Sequence, residues 1–389
     1  MSVAASDLAS LASKSNSLQS QGSSIGRQHL FHPIVDFLCL GGGSVLLVGI
    51  LLMLGIGESS SATVAALAMG LAHVVNHPHF AHSYQLFYRD YWNKAFTGKF
   101  APSLRLRYLF AGIVVPLLLA LFMGLAVSAG DPVMLGQAAS LMTFLVGWHY
   151  VKQGYGVLIA LSVIRKQFFS TLEKRILLTN AYACWISFWL AINWMVTTRN
   201  LWGIEHYMLD IPTTLLIASL CVSGLSTCVL LAMLARKWLA SGGKVPVNGI
   251  IAYLSTLYVW LFCLTNPLFA LIIPACHSLQ YLAIVWRYRL NLEAAQQEAL
   301  TAGTATKPPY SASRSFRFMV FVAVGTLLGY LGFWAVPEFL DSNIAYEKAL
   351  FGSSLFLYIF WVFINVHHYF LDNVIWRREN PDTKRYLFG

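Results

Sequence analysis

The sequence predicts an all-α, polytopic membrane protein: a bundle of about ten transmembrane helices with both termini on the cytoplasmic side. Three observations carry this. Only 11% of the 389 residues are charged while 57% are hydrophobic, against about 25% charged in an ordinary soluble domain. The apolar runs are continuous and about 20 residues long, the length a helix needs to cross hydrocarbon. The mean hydropathy of +0.62 belongs to the whole chain rather than to one segment. Lipid admits only helices and closed barrels as spanning structures, and barrel strands would alternate apolar and polar residues over about ten positions. Helices are therefore expected.

Taken in order, spans are expected at roughly 33–55, 62–82, 108–128, 133–163, 177–197, 212–235, 247–271, 272–287, 317–336 and 350–374, with ends uncertain by a few residues. Only the turn around Pro274 separates the seventh from the eighth, so a re-entrant pair is an alternative there. With a cytoplasmic N-terminus and alternating loops, 23 of the 26 lysines and arginines fall inside. Arg199 and Lys348 fall outside, and Lys152 lies within a span. That asymmetry is the positive-inside pattern, and one helix more or fewer would invert half of it. It also accounts for the net charge of +10, so no nucleic-acid partner is expected.

The chain divides into three regions. Residues 1–28 are a Ser-rich tail without the apolar core of a signal peptide, residues 29–376 the helical domain, and residues 377–389 a basic cytoplasmic tail. In the longest loop, about 288–316, NLEAAQQEAL reads as a short surface helix and TAGTATKPPYSASRS as flexible linker. The six cysteines lie in apolar segments with no CxxC spacing, as small buried hydrophobes do.

An ionisable residue in a membrane helix is costly and marks a functional site by default. The densest group is LAHVVNHPHFAHSY, with His73, His77, His79 and His82. His73 and His77 share a face with Asn76 beside them, and Pro78 is expected to kink the helix and re-aim His79 and His82. GWHYVKQGYG puts His149, Lys152 and Gln153 on one face, with Tyr155 close by. Lys152 either snorkels to the interface or faces a carboxylate. PACHSLQYL aligns His277, Gln280 and Tyr281, and INVHHYFLD aligns Asn365, His368 and Asp372 with His367 a quarter-turn away. Asp372 is expected to bind the same metal as His368 or to orient a liganding histidine. His32 and Asp36 repeat the i, i+4 spacing on the first span, where His32 can equally be a helix cap.

The loop arginines set the depth of these groups. His82 lies seven residues before Arg89, and His277 and His367 each lie ten before Arg287 and Arg377. At 1.5 Å per residue that is roughly 10–15 Å deep. Five helices thus direct imidazoles into the cytoplasmic half of the bilayer, and His206, in an outside loop, stands apart.

Imidazole clusters suit iron, copper or zinc. The absence of HExxH argues against a zincin protease, and the absence of ExxH against a ferritin-like carboxylate di-iron bundle. Aspartate-rich diphosphate motifs are also missing. The His73–His77 HxxxH pair and the His367–His368 pair resemble the boxes of histidine-rich integral-membrane non-haem di-iron enzymes, the desaturases and hydroxylases. This chain departs from them in lacking HxxHH, in carrying its boxes inside spans, and in its ten helices. Bacterial membrane carotene-cleaving dioxygenases, multi-helix proteins with intramembrane histidines, are a second resemblance.

The resemblance implies an oxygenase, hydroxylase or desaturase acting on a lipid or other hydrophobic substrate. It implies two irons held among His73, His77, His79, His82, His149, His277, His367, His368 and Asp372. Asn76, Gln280 and Asp36 would be further ligands or supports, and Lys152, Tyr155 and Tyr281 would position substrate. Membrane lipids would surround the protein, and a cytoplasmic ferredoxin or reductase would supply electrons, since no flavin or nucleotide motif is visible. Two other classes compete: a b-type haem protein with histidines from facing helices, and a proton-coupled transporter with a histidine relay.

Overall fold

The computed structural model describes residues 28–55, 60–195, 200–201, 203–205, 208–303 and 313–388. The Ser-rich tail up to residue 27, His206 and most of the expected linker lie outside these residues. Helix makes up 83% of the structure. A two-residue strand pair, β1 (Asn200–Leu201) and β2 (Ile204–Glu205), is its one piece of β structure among the described residues.

Eight helices are long and apolar enough to cross a membrane: α1 (Pro33–Met53), α4 (Pro102–Ser128), α6 (Thr171–Met195), α7 (Thr213–Ala240), α8 (Val247–Leu264), α9 (Pro267–Thr301), α10 (Arg314–Asn343) and α12 (Leu355–Ile375). Two more of the expected spans are continuous helix, α2 over residues 61–88 and α5 (Pro132–Ile164). Both are long enough to cross but too polar to join the eight. Their polarity comes from His73, His77, His79 and His82 in one and from His149, Lys152 and Gln153 in the other. The short helices α3 (Tyr91–Ala95), α11 (Lys348–Phe351) and α13 (Pro381–Leu387) complete the set.

The core is a four-helix arrangement in which α2 and α5 each pack against both α9 and α12. In α9, 67% of the apolar stretch is buried inside the protein, against 17% in α7. So α9 is central and α7 peripheral. Next to Pro274, α9 passes from a 3-10 segment (Pro267–Leu271) through Ile272 to regular α-helix from Ile273, with Pro274 in its first turn. The chain also turns at Asn266–Pro267, where Asn266 Oδ1 accepts from Leu268 N at 3.0 Å and proline occupies the first turn, a position that lacks a partner for its N–H anyway. At its other end α9 runs on through NLEAAQQEAL to Thr301, because Ala, Glu, Gln and Leu all favour helix.

Two backbone devices bring helices close. In α1 a π-turn (Leu38–Gly42) contains Gly41 at φ 155°, and a Cβ there would stand 3.1 Å from Ala252 Cα of α8. In α10, Gly325 and Gly329 form a GxxxG face against α2: a Cβ on Gly329 would meet the His77 carbonyl carbon at 2.7 Å, and one on Gly325 would run into the His82 ring. The α2 helix also carries a π-turn, at Ala72–Asn76, just before His77 and Pro78.

The C-terminal segment is a docked helix rather than a free tail. Buried Asn380 caps α13 through Asp382 N and donates to the Tyr108 hydroxyl and to Ile375 O. Asn291 Nδ2 holds Tyr386 O at 2.8 Å, and Arg89 faces Asp382 at 3.5 Å. The described cysteines are all free, and no two form a disulfide.

Candidate metal centre

Each helix of the central four contributes one imidazole to a shared buried cluster: His79 from α2, His149 from α5, His277 from α9 and His368 from α12. A turn further along α12, Asp372 adds a carboxylate. His368 Nε2 lies 3.0 Å from His79 Nε2 and 3.3 Å from His149 Nε2. Asp372 Oδ2 is 3.5 Å from His368 Nε2 and 3.6 Å from His149 Nε2. The His277 ring lies 5.3 Å from that of His79 and 5.1 Å from that of His149, centre to centre. Two triads, His79–His149–His277 and His149–His368–Asp372, each keep their donor atoms within 4.8 Å of one another. They share His149.

The hydrogen bonds fix which nitrogen of His79 is free. Ser278 Oγ donates to Asn76 Oδ1 at 2.7 Å, so its proton is already used. His79 Nδ1, 3.0 Å from that hydroxyl and 3.2 Å from Asn76 O, must then carry the proton and donate. The lone pair of Nε2 is left pointing at the centre. Asp372 is oriented in a similar way. Tyr281 donates to Oδ1 at 2.7 Å, while its hydroxyl receives Ser83 and, at 3.4 Å, Trp376 Nε1. Among the described residues, Oδ2 has no hydrogen-bond partner, nor has either ring nitrogen of His277, nor His368 Nδ1.

A buried polar atom without a partner is costly, and here several meet at one place. The His368 Nε2 proton can satisfy only one neighbour. A cation in either triad would satisfy several of these atoms at once. At a metal–nitrogen distance of about 2.1 Å, two ligating nitrogens lie about 3.0 Å apart across a right angle and about 3.4 Å apart in a tetrahedron, which brackets the 3.0 and 3.3 Å separations found. His79, His277, His368 and Asp372 are buried and His149 nearly so. Stacked on His277 at 3.8 Å is Tyr150. Beside them lies a cavity of about 20 Å³ bordered by Ser44, Thr256, Cys276 and Gln280, room for about one water.

The other sequence-predicted residues lie elsewhere. His73 stacks on Trp334, and His77 stacks on Phe333 and receives Trp334 Nε1 at 3.3 Å. His82 is held between Gln85 Oε1 at 2.7 Å and Trp286 Nε1 at 3.4 Å, and stacks on Phe321. Adjacent to His368, His367 turns away: its Nδ1 meets the Tyr84 hydroxyl at 2.8 Å and its Nε2 the Ala111 carbonyl at 2.9 Å. Both of its nitrogens are occupied. Asp36 accepts from the backbone of Leu30 and Phe31 at 2.8 and 3.0 Å, and His32 caps α1. Gln280 braces three helices, donating to Leu40 O and Ala252 O and accepting from Gln153 and Thr256. Lys152 lies over Trp148 and Tyr155 at 5.3 and 5.7 Å, a cation–π arrangement. Tyr155 packs with the α5–α6–α8 cluster, and Asn365 donates to Trp361 O.

Ser278, Ser83 and Trp376 belong to the site, and the sequence pattern alone does not single them out. The serines come directly after His277 and His82, and a hydroxyl next to an intramembrane histidine is the signal that points to them.

Comparison of the chain with protein-family models, with curated proteins and with solved structures finds no match.

Proposed function

We propose that the chain is a ten-span membrane metalloenzyme, with both termini and the mouth of its metal site on the cytoplasmic side. One ion, iron first, is held by His79, His149, His277, His368 and Asp372, and serves oxidation of a lipid or other hydrophobic substrate by O2. The observation that carries this reading is the pair of donor triads, His79–His149–His277 and His149–His368–Asp372, that share His149, with no hydrogen-bond partner among the described residues for His277 or for Asp372 Oδ2. Structural zinc is almost always four-coordinate. Five donors favour a metal that accepts five or six, and imidazole with carboxylate suits non-haem iron. A sixth position then remains for an exogenous ligand.

The nine-ligand, two-iron expectation narrows accordingly, because His82 and His367 already use both nitrogens on protein partners. Haem fits less well. Two axial nitrogens stand about 4 Å apart with a macrocycle between them, at roughly 2 Å each from the iron, whereas the His79 and His368 nitrogens are 3.0 Å apart. Electrons would come from a soluble carrier, a ferredoxin or reductase, on the basic cytoplasmic face. A proton relay is the second reading, favoured by the run of Nε2 contacts from His79 through His368 to His149.

Elemental analysis of detergent-purified protein, followed by anaerobic ferrous loading and oxygen uptake with membrane lipid extracts, separates the two. One iron per chain and lipid-dependent oxygen uptake are expected. Protein of normal thermal stability that takes up no transition metal would leave the relay standing.

A further inference from the structure

His73 and His77 stand apart from the metal triads, and the partner of one ring nitrogen fixes the state of the other. His73 Nδ1 lies 2.8 Å from Met69 O. A carbonyl only accepts, so Nδ1 donates, and in the neutral ring Nε2 keeps its lone pair. At His77 the order is reversed: Trp334 Nε1 donates to Nδ1 at 3.3 Å, so Nε2 carries the proton. Neither Nε2 has a hydrogen-bond partner among the described residues, and neither is sealed inside the protein. The two rings meet edge to face with centres 5.4 Å apart, within reach of one oxygen atom hydrogen-bonded at about 2.8 Å on either side.

An acceptor beside a donor is complementary to a hydroxyl group, which gives one hydrogen bond and takes another. We infer that this pair binds the hydroxyl of an apolar alcohol dissolved in the bilayer. The inference rests on α2 crossing the membrane and not on the metal.

Depth narrows the ligand. His73 lies 12 residues from Ser61 and 15 from Tyr88, the two ends of α2, which is about 18 and 22 Å along the helix. In a spanning helix that is the hydrocarbon middle, where a phospholipid offers only methylenes and water is scarce. A hydroxyl that reaches this depth belongs to a molecule that is otherwise hydrophobic. The surroundings suit one: Trp334 stacks on His73 at 5.4 Å, and Tyr330, 48% exposed, lies 6.4 Å from the same ring.

Equilibrium binding of radiolabelled tetradecanol and farnesol to the full-length protein in detergent micelles tests this, with the methyl ether and the parent hydrocarbon of each for comparison. The ether accepts from His77 but has no proton for His73. In wild type the alcohol is expected to bind about fivefold tighter than its ether, and the ether about fivefold tighter than the hydrocarbon, one net hydrogen bond at each step. His73→Phe should erase the first step alone, and His77→Phe the second. Whichever alcohol binds tighter identifies a linear or an isoprenoid chain. Equal binding of alcohol, ether and hydrocarbon to wild type would mean that lipid or water fills the place and would overturn the inference. So would a first step that survives in His73→Phe.

Discussion

The Nε2 atoms of His79 and His368 lie 3.0 Å apart although 289 positions separate the residues in the chain. Two neutral imidazoles at that distance share either one proton or one cation. The bare Asp372 Oδ2 and the bare His277 beside them favour the cation. His79→Ala and His368→Ala are therefore expected to reduce bound iron from about one per chain to under a tenth, beyond the 10–100-fold affinity loss typical of supporting residues. His73→Ala and His367→Ala should keep it. Metal analysis of the four variants at equal folded yield decides the matter, and equal loss in all four would remove the special role of the central cluster.

Tyr281 holds Asp372 by Oδ1 and leaves Oδ2 facing the histidines. Tyr281→Phe removes that donor without changing the packing of the ring. Metal affinity, measured by competition with a chelator, should fall 10–100-fold. Ser278→Ala, which frees the His79 tautomer, should weaken binding less, since Asn76 O still accepts from Nδ1. An unchanged affinity in Tyr281→Phe would mean that Asp372 does not bind the ion.

The all-helical fold, with eight helices long and apolar enough to span, and the histidine-bearing stretches of the candidate site are legible from hydropathy and from the histidines alone. The choice among histidines is not. His73 and His77 do share a face, with rings 5.4 Å apart, but that face lies against Trp334 and Phe333 of α10, whereas His79, two positions beyond His77 and so on the opposite side of the helix, faces the centre. Nor can the HH pair reveal that His367 spends both nitrogens on Tyr84 and Ala111, since those partners lie on other helices, more than 250 positions away. Buried Asp36 and half-buried Lys152 both find partners within the protein. Their partners are a backbone turn and two aromatic rings rather than a ligand.

Helix α2 is seated by glycine. A methyl group on Gly329 would meet the carbonyl carbon of His77 at 2.7 Å, and a backbone carbonyl cannot rotate aside as a side chain can. Gly329→Ala should push α2 from α10, destabilising the protein by about 1–3 kcal/mol as overpacking does. Because His79 lies only two residues beyond His77, metal affinity should fall with it. Gly224→Ala, where a Cβ meets nothing within 4 Å, is the control. Thermal midpoints in detergent and chelator competition read the two effects, and a Gly329→Ala protein equal to the control in both would show that the contact relaxes without cost.

Lys94 links stability to pH outside the membrane spans. Its side chain is 3% exposed, yet Nζ donates to Leu86 O at 3.1 Å and Phe87 O at 3.5 Å and sits 3.9 Å from Asp382. Burial is the largest influence, with repulsion from Arg89 next. Together they outweigh the attraction of Asp382 and push the pKa from 10.5 down to about 8. Between those values the unfolded chain holds a proton that the folded protein has released, so stability rises with pH across that window. The penalty for burying the charged amine is full below pH 8 and gone by about pH 10.5, a difference of about 3 kcal/mol at 1.36 kcal/mol per unit. Lys94→Met removes the titration and the two backbone hydrogen bonds together. The variant should therefore compare best with wild type near pH 7 and lose ground steadily toward pH 10. Parallel stability profiles for the two proteins from pH 7 to pH 10 would mean that Lys94 keeps its proton in the fold and that Asp382 outweighs burial.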